Sequence, residues 1–343
     1  MVIIKKKKII FILVFTLLII SILFVFGYFC IYVNCSKNPK KYTQTKYNYS
    51  LSDKYKEFRQ NIEDVAIIPG LKEHIIPQGL TYSSKYNKFL IVAYHKGKAS
   101  SVIFIIDPIK KDLEKTLLLQ QYDSKSFNTH IGGITTDDET IWLSDNYMIY
   151  TLSLSELLKA DDMSNIRLSK PVSSLSKGDY ITYHDGFLWI GEYDYKFKYE
   201  TLSEHYYKDN KSLIAVFDLK KGYQDYLHPE FLLSVPDRIQ GLTFDEEDNI
   251  VLSRSFWSFQ SSDLSIYKNI LDDPSENIEI NGDEYQLWYL DNSHLIKNIV
   301  IPPMSEGIYY LDNEIYIIFE SAASFYRIYT RDKVDSIVKL KKW

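Results

Sequence analysis

The sequence predicts an all-β chain, a β-propeller of five four-stranded blades with a sixth left open, preceded by one N-terminal transmembrane helix. Three observations predict it. A short strand opened by a small or polar residue recurs five times over the 343 residues; 29 Tyr and 18 Phe stand against only four Met; and one uncharged apolar run lies near the start. Aromatic and β-branched residues favour the half-buried surface of a sheet, and supersecondary units repeated at a fixed order describe stacked or radial repeats. A sandwich or jelly roll has no need of the same opening five times.

Taken in chain order, residues 1–8 form a basic end that contains Lys5, Lys6, Lys7 and Lys8. Residues 9–33 follow without a charge, about 25 positions where about 20 span a hydrocarbon core. The dense lysine cluster on the very short leading side keeps that end cytoplasmic, so the body is expected outside the cell, at the cell membrane, on a single-pass anchor. The run is too long for a cleaved signal peptide, and Cys30 and Cys35 lack the small preceding residues of a lipidation signal. Residues 34–60 read as a polar, Tyr- and Lys-rich stalk with a short helix near Asp53 to Ile62, and residues 61–343 as the propeller.

Seven of the 40 basic residues and none of the 45 acidic ones fall in residues 1–41, leaving 33 basic against 45 acidic in the rest. That balance excludes nucleic acid as a partner, because phosphate binding relies on clustered Lys and Arg. Both cysteines belong to the N-terminal part, so the body has no disulfide and no thiolate site.

The five openings are Pro77 to Tyr82, Ile131 to Thr136, Gly178 to Tyr183, Ile239 to Phe244 and Ser305 to Tyr310, spaced by about 47 to 66 residues. Turn formers follow each, among them His184 to Gly186 and Asp312-Asn313, and a second strand completes each hairpin. Third strands are expected at Val102 to Ile106, Met148 to Leu152, Leu213 to Asp218, Tyr285 to Leu290 and Phe325 to Tyr329, leaving Asp263 to Ile270 as the sixth-blade candidate. Fourth strands are expected at Leu113 to Leu119, around Ile166 to Val172, Phe231 to Val235 and Leu295 to Ile301, with Asp64 to Ile68 closing the ring on the last blade.

At Gln78-Gly79, Gln240-Gly241 and Glu306-Gly307, each followed by a strand, a polar turn and a second strand, the chain resembles the calcium-dependent propellers. These are the gluconolactonase or senescence-marker-protein group, the strictosidine-synthase and paraoxonase relatives, and the NHL repeat. The resemblance covers roughly residues 64–343 as repeat grammar. It implies a Ca²⁺ held by Glu306 with channel-facing oxygens of other blades, and lactone or ester hydrolysis assisted by that ion. Gln78 and Gln240 replace the acidic residues such a ring would carry.

In a propeller, the loops between blades and the loops joining second to third strands share one face. Two sets of residues should therefore meet at the channel mouth: Gln78, His130, Asp179, Gln240 and Glu306, and His95, Asp145, Asn146, Glu192, Asp194, Arg254 and Glu320. Glu306, Glu192 and Asn146 head the metal candidates, because Ca²⁺ takes six to eight hard oxygens. The competing structural reading has these groups satisfying one another, with Arg254 pairing Glu192 or Glu320. His130 and His95 are the acid or base candidates, since imidazole titrates near neutrality. The long aromatic-rich loops from Asp194 to Lys211 and from Ser255 to about Glu284 should cover the ligand. No Gly-x-Ser-x-Gly elbow, His-Glu-x-x-His helix, phosphate loop or Cys-x-x-Cys pair is present. Two readings follow: a surface-anchored propeller binding a small molecule, glycan or protein at the channel mouth, and a calcium-assisted lactone or ester hydrolase.

Overall fold

The computed structural model describes residues 14–22, 37–195, 201–222, 226–273 and 275–341. Five antiparallel sheets form a ring, each running outward from an inner strand. Blade 1 is Ile75–Ser83, Lys88–His95, Val102–Asp107 and Asp112–Gln120; blade 2 is Gly133–Thr136, Thr140–Asp145, Met148–Ser153 and Val172–Ser174. Blade 3 is Tyr180–His184, Phe187–Gly191, Asn210–Asp218 and Phe231–Pro236; blade 4 is Ile239–Phe244, Ile250–Arg254, Ser262–Tyr267 and Leu295–Ile301. Blade 5 is Ser305–Leu311, Glu314–Phe319 and Ser336–Leu340, with Ile62–Ile67 as its outer strand. The ring is thus closed by the first strand of the body, as the sequence predicts.

The tight hairpins follow from turn chemistry. Asp185 and Gly186, Asn146 and Tyr147, and Asp312 and Asn313 all have positive φ, the requirement of a two-residue turn whose twist matches that of its strands. Apolar faces of adjacent blades interlock in four clusters that run around the ring.

Several strand expectations need correction. Asp263 to Ile270 is not a sixth blade, because Ser262–Tyr267 is the third strand of blade 4. Tyr285 to Leu290 belongs instead to a hairpin, Glu276–Ile280 with Asp283–Tyr289, whose second strand pairs in parallel with the outer strand of blade 3. Phe325 to Tyr329 is loop, and the third strand of blade 5 comes later, at Ser336–Leu340. In blade 2 the fourth strand is Val172–Ser174, while Asn165–Arg167 pairs in parallel with the edge of blade 1.

One rule covers these additions. In blades 2, 3 and 4 the connection from third to fourth strand reaches back and adds a parallel strand to the preceding blade, through Asn165–Arg167, Tyr226–Leu227 and Asp283–Tyr289. For blade 5 the same position in the blade is the chain leading into Ile62. There Asp53–Tyr55 is a 3₁₀ turn and Lys56–Asn61 an α-helix, matching the helix expected near Asp53. Tyr55 and Phe58 are buried between blades 4 and 5, the Phe58 ring meeting Phe319 edge-on at 6.2 Å. Upstream, Tyr42 packs on Phe104, Gln44 bridges the Ile67 carbonyl and the Leu113 amide, and Asp335 accepts from the Tyr47 amide. Residues 42–58 therefore lie on the propeller.

Residues 14–22 are helical. The rest of the apolar run 9–33 lies outside the described residues, and among the described residues no helix is long and apolar enough to cross a membrane.

Candidate functional site

The inner strands converge so closely that the axial channel narrows to a cavity of about 10 Å³ lined by Gln78, Gly132, Gly133, Gln240, Gly241 and Gly307, among others. That is barely room for one water. Glycine permits the approach: a Cβ on Gly307 would stand 2.5 Å from the Leu80 amide nitrogen, and one on Gly132 would stand 2.0 Å from the Gly178 carbonyl oxygen. Among the described residues the axis is therefore narrowed to that cavity, and the larger clefts lie elsewhere.

The polar openings of blades 1, 4 and 5 do meet. Gln240 donates to Glu306 at 2.9 Å, and Glu306 in turn hydrogen-bonds Glu320, which also bonds Gln78. Burial, and then the charge of Glu320, push the Glu306 carboxyl far above its ordinary range. Burial likewise raises Glu320, to about 8, against the opposing pull of Lys96 and of its bonds to Glu306 and Gln78. Two buried carboxyls in contact cannot both ionise, so the pair retains a proton at neutral pH, and Glu306 is the donor.

Glu320 opens upward into a cleft of about 680 Å³. Its walls are aromatic: Tyr193 and Tyr195 from blade 3, Phe256, Trp257 and Phe259 from blade 4, and Phe325, Tyr326 and Tyr329 from blade 5. Gln240, Ser255 and Ser258 add hydrogen-bonding groups. Tyr195 and Phe256 approach to 4.4 Å, and two cations cap the rim, Arg238 over Phe256 at 5.1 Å and Lys96 over Phe325 at 4.3 Å.

The other predicted residues gather elsewhere. Asp145 and Glu192 are buried near Asp179 and Lys177; burial raises them to about 6 and about 7, and Glu192 accepts from the Lys177 amide. Asn146 is exposed in its hairpin turn. Glu306, Glu192 and Asn146 thus form no oxygen cage, and among the described residues no three His, Cys, Asp or Glu side chains converge at metal-holding spacing.

His95 and His130 do not line the cleft. Burial holds His95 down at about 4, His74 adding to it, and crowding by surrounding protein lowers His130, which keeps an exposed side chain and whose ring lies 4.4 Å from that of Tyr94. Arg254 pairs with Asp237 and not with Glu192 or Glu320. Arg254 and Asp194 instead line a separate groove of about 720 Å³ between blades 3 and 4. The charges there are largely matched, Lys208 with Asp291 at 2.6 Å and Arg238 with Asp237 at 3.0 Å, so the smaller aromatic cleft is the better candidate.

Residue-by-residue reading missed the cleft walls. Their signal was the aromatic density of the loops after the second strands of blades 3 and 4, which supply five of the cleft's aromatic side chains. The loop Ser321 to Asp335 carried no such signal, because part of it reads as a strand.

No protein-family model matches the sequence, and no curated protein resembles it in sequence. Solved structures do. A PQQ-bound aldose sugar dehydrogenase from Streptomyces coelicolor is similar over 81% of this chain and 96% of its own, at 11% identity and a TM-score of 0.45. The glutaminyl cyclase of Myxococcus xanthus matches over 75% and 89%, at 10% identity and 0.42. Kuenenia stuttgartiensis hydrazine synthase matches over 70% of this chain, which spans about 55% of that one, at 8% identity and 0.36. These likenesses concern the fold alone, and the chain is a five-bladed β-propeller.

Proposed function

We propose that the chain is a membrane-tethered, extracytoplasmic propeller that binds a neutral carbohydrate end in the aromatic cleft beside Glu320. The observation behind this reading is the pairing of aromatic walls with a floor that keeps a proton at neutral pH. Sugar C–H faces stack on exposed rings, and hydroxyls need both donors and acceptors at the closed end of a pocket. Glu320, hydrogen-bonded from below by Glu306, offers its carboxyl oxygens at that end, supplemented by Gln240, Ser255 and Ser258. A floor with two full negative charges would instead select a cation. The apolar run 9–33 supplies the tether, with Lys5 to Lys8 holding the N terminus in the cytoplasm.

Calcium-assisted lactone or ester hydrolysis, the activity implied by the calcium-dependent propellers, has less support. Glu306 is engaged by Gln240 and Glu320, and neither His95 nor His130 faces the cleft to carry a proton.

Thermal unfolding of the full chain in detergent, with maltotriose, cellotriose or chitotriose added, tests the binding reading. A ligand at a hundred times its Kd stabilises by about 2.7 kcal/mol. One of the three sugars should raise the melting temperature, and Trp257→Ala should cancel the rise. No shift with any of them, or a shift only with benzyltrimethylammonium, sinks the carbohydrate assignment.

A further inference from the structure

The exposed apolar side chains of the propeller are concentrated on one face. Among the described residues of the ring, all the large exposed hydrophobic side chains lie at that face except Ile109, on a turn of the opposite face, and Ile296 and Val300, on the outer strand of blade 4. Tyr147 and Tyr207 belong to it, and so do Trp257 at 56% exposure, Phe259 at 69%, Ile328 at 75% and Tyr329 at 63%. They come from four different blades, on the loops that join second to third strands. An exposed apolar surface of this breadth, drawn from separate elements, marks an interaction site.

The N-terminal chain leaves from the same face. Ser100, on the corresponding loop of blade 1, donates its amide to the Asn38 side chain at 2.9 Å. The 25-residue apolar run ends at Val33, only four residues before Lys37. A chain of four residues reaches at most about 14 Å. The described chain therefore starts at the loop face, four residues along from the end of the apolar run.

We propose that this face lies on the lipid bilayer, with Trp257, Phe259, Ile328 and Tyr329 seated in its interface, so that the aromatic cleft opens toward the membrane. The occupant is the bilayer surface because the tether ends there and because Trp and Tyr, amphipathic rings, prefer the headgroup level. The inference rests on the tether reading and deepens the ligand reading: a sugar reaching this cleft is carried at the membrane surface, as a lipid headgroup is.

The test uses the full chain reconstituted in phosphatidylcholine vesicles that carry a headgroup energy acceptor. Because Cys30 and Cys35 are replaced by Ser in both variants, a donor dye can be attached at Ile328→Cys on the loop face or at Ile109→Cys on the opposite face. Both positions are exposed, so folding is preserved. The proposal expects transfer from position 328 to exceed that from 109 severalfold, and the 328 signal to drop toward the 109 level in Trp257→Ser/Phe259→Ser. Equal transfer from the two, with the protein retained on vesicles through alkaline carbonate, overturns the face-down orientation and leaves the tether standing. Release by carbonate overturns both. Neither result touches sugar binding in detergent, which is measured separately.

Discussion

The Glu306–Glu320 pair shows how much chemistry a single contact can set. Neither carboxyl is unusual alone, but burial at the end of the ring and mutual contact hold a proton that free glutamates would have lost. The consequence for stability has a definite sign. Both folded pKa values lie above the unfolded value, so the contribution is fully present below about 4.5 and is lost as pH rises toward 8. The buried histidines act in the opposite sense, but only below their ordinary value of 6.5. Between pH 6.5 and 8 the melting temperature should therefore fall, and Glu306→Gln/Glu320→Gln should reduce that slope to the share left by Glu192, raised by burial to about 7, when melting is followed by circular dichroism. An unchanged slope in the double variant would place the titration elsewhere. Glu306 and Gln240 were legible in the sequence because they recur at one register of a repeated strand. Glu320 was legible as a channel-mouth group, but its partner was not, since the sequence does not say which loop ends lean together. His95 and His130 looked catalytic because imidazole chemistry is general, and only the structure shows His95 buried beside His74 and His130 set against Tyr94 outside the cleft.

Strand existence was easier to read than strand membership. Alternation in Asp283–Tyr289 is stronger than in Ser262–Tyr267, and it marks a strand without saying which sheet receives it. The parallel strands lent to preceding blades depend on contacts distant in sequence, which no local pattern encodes. They also mean that a blade is stabilised by its successor. Phe58, which occupies the equivalent seam between blades 4 and 5, should cost about 3 to 5 kcal/mol when replaced by Ala, measured by urea denaturation of the full chain. A loss below about 1 kcal/mol would mean that the helix is an accessory and not part of the closure. Gly307→Ala should be destabilising by about 1 to 3 kcal/mol or more, because its new methyl meets backbone that cannot yield. Unaltered stability there would show that the inner strands can separate.

The whole molecule places an aromatic cleft above a narrowed axis. Narrowing follows from the glycines that gave the repeat away: the feature that made the propeller readable is the one that narrows the axis. The cleft lies over blades 3, 4 and 5, where the connections after the second strands are long, while blade 2 turns there in the short hairpin at Asn146 and Tyr147. Tryptophan emission reads this account most directly, since Trp257 is half exposed on the cleft wall while Trp142 and Trp189 are buried. Titrating the full chain with whichever trisaccharide raises its melting temperature should change the emission saturably, and Trp257→Phe should abolish the change. Emission that stays flat in the native chain, or a change that persists in Trp257→Phe, would contradict a sugar-binding cleft at this position.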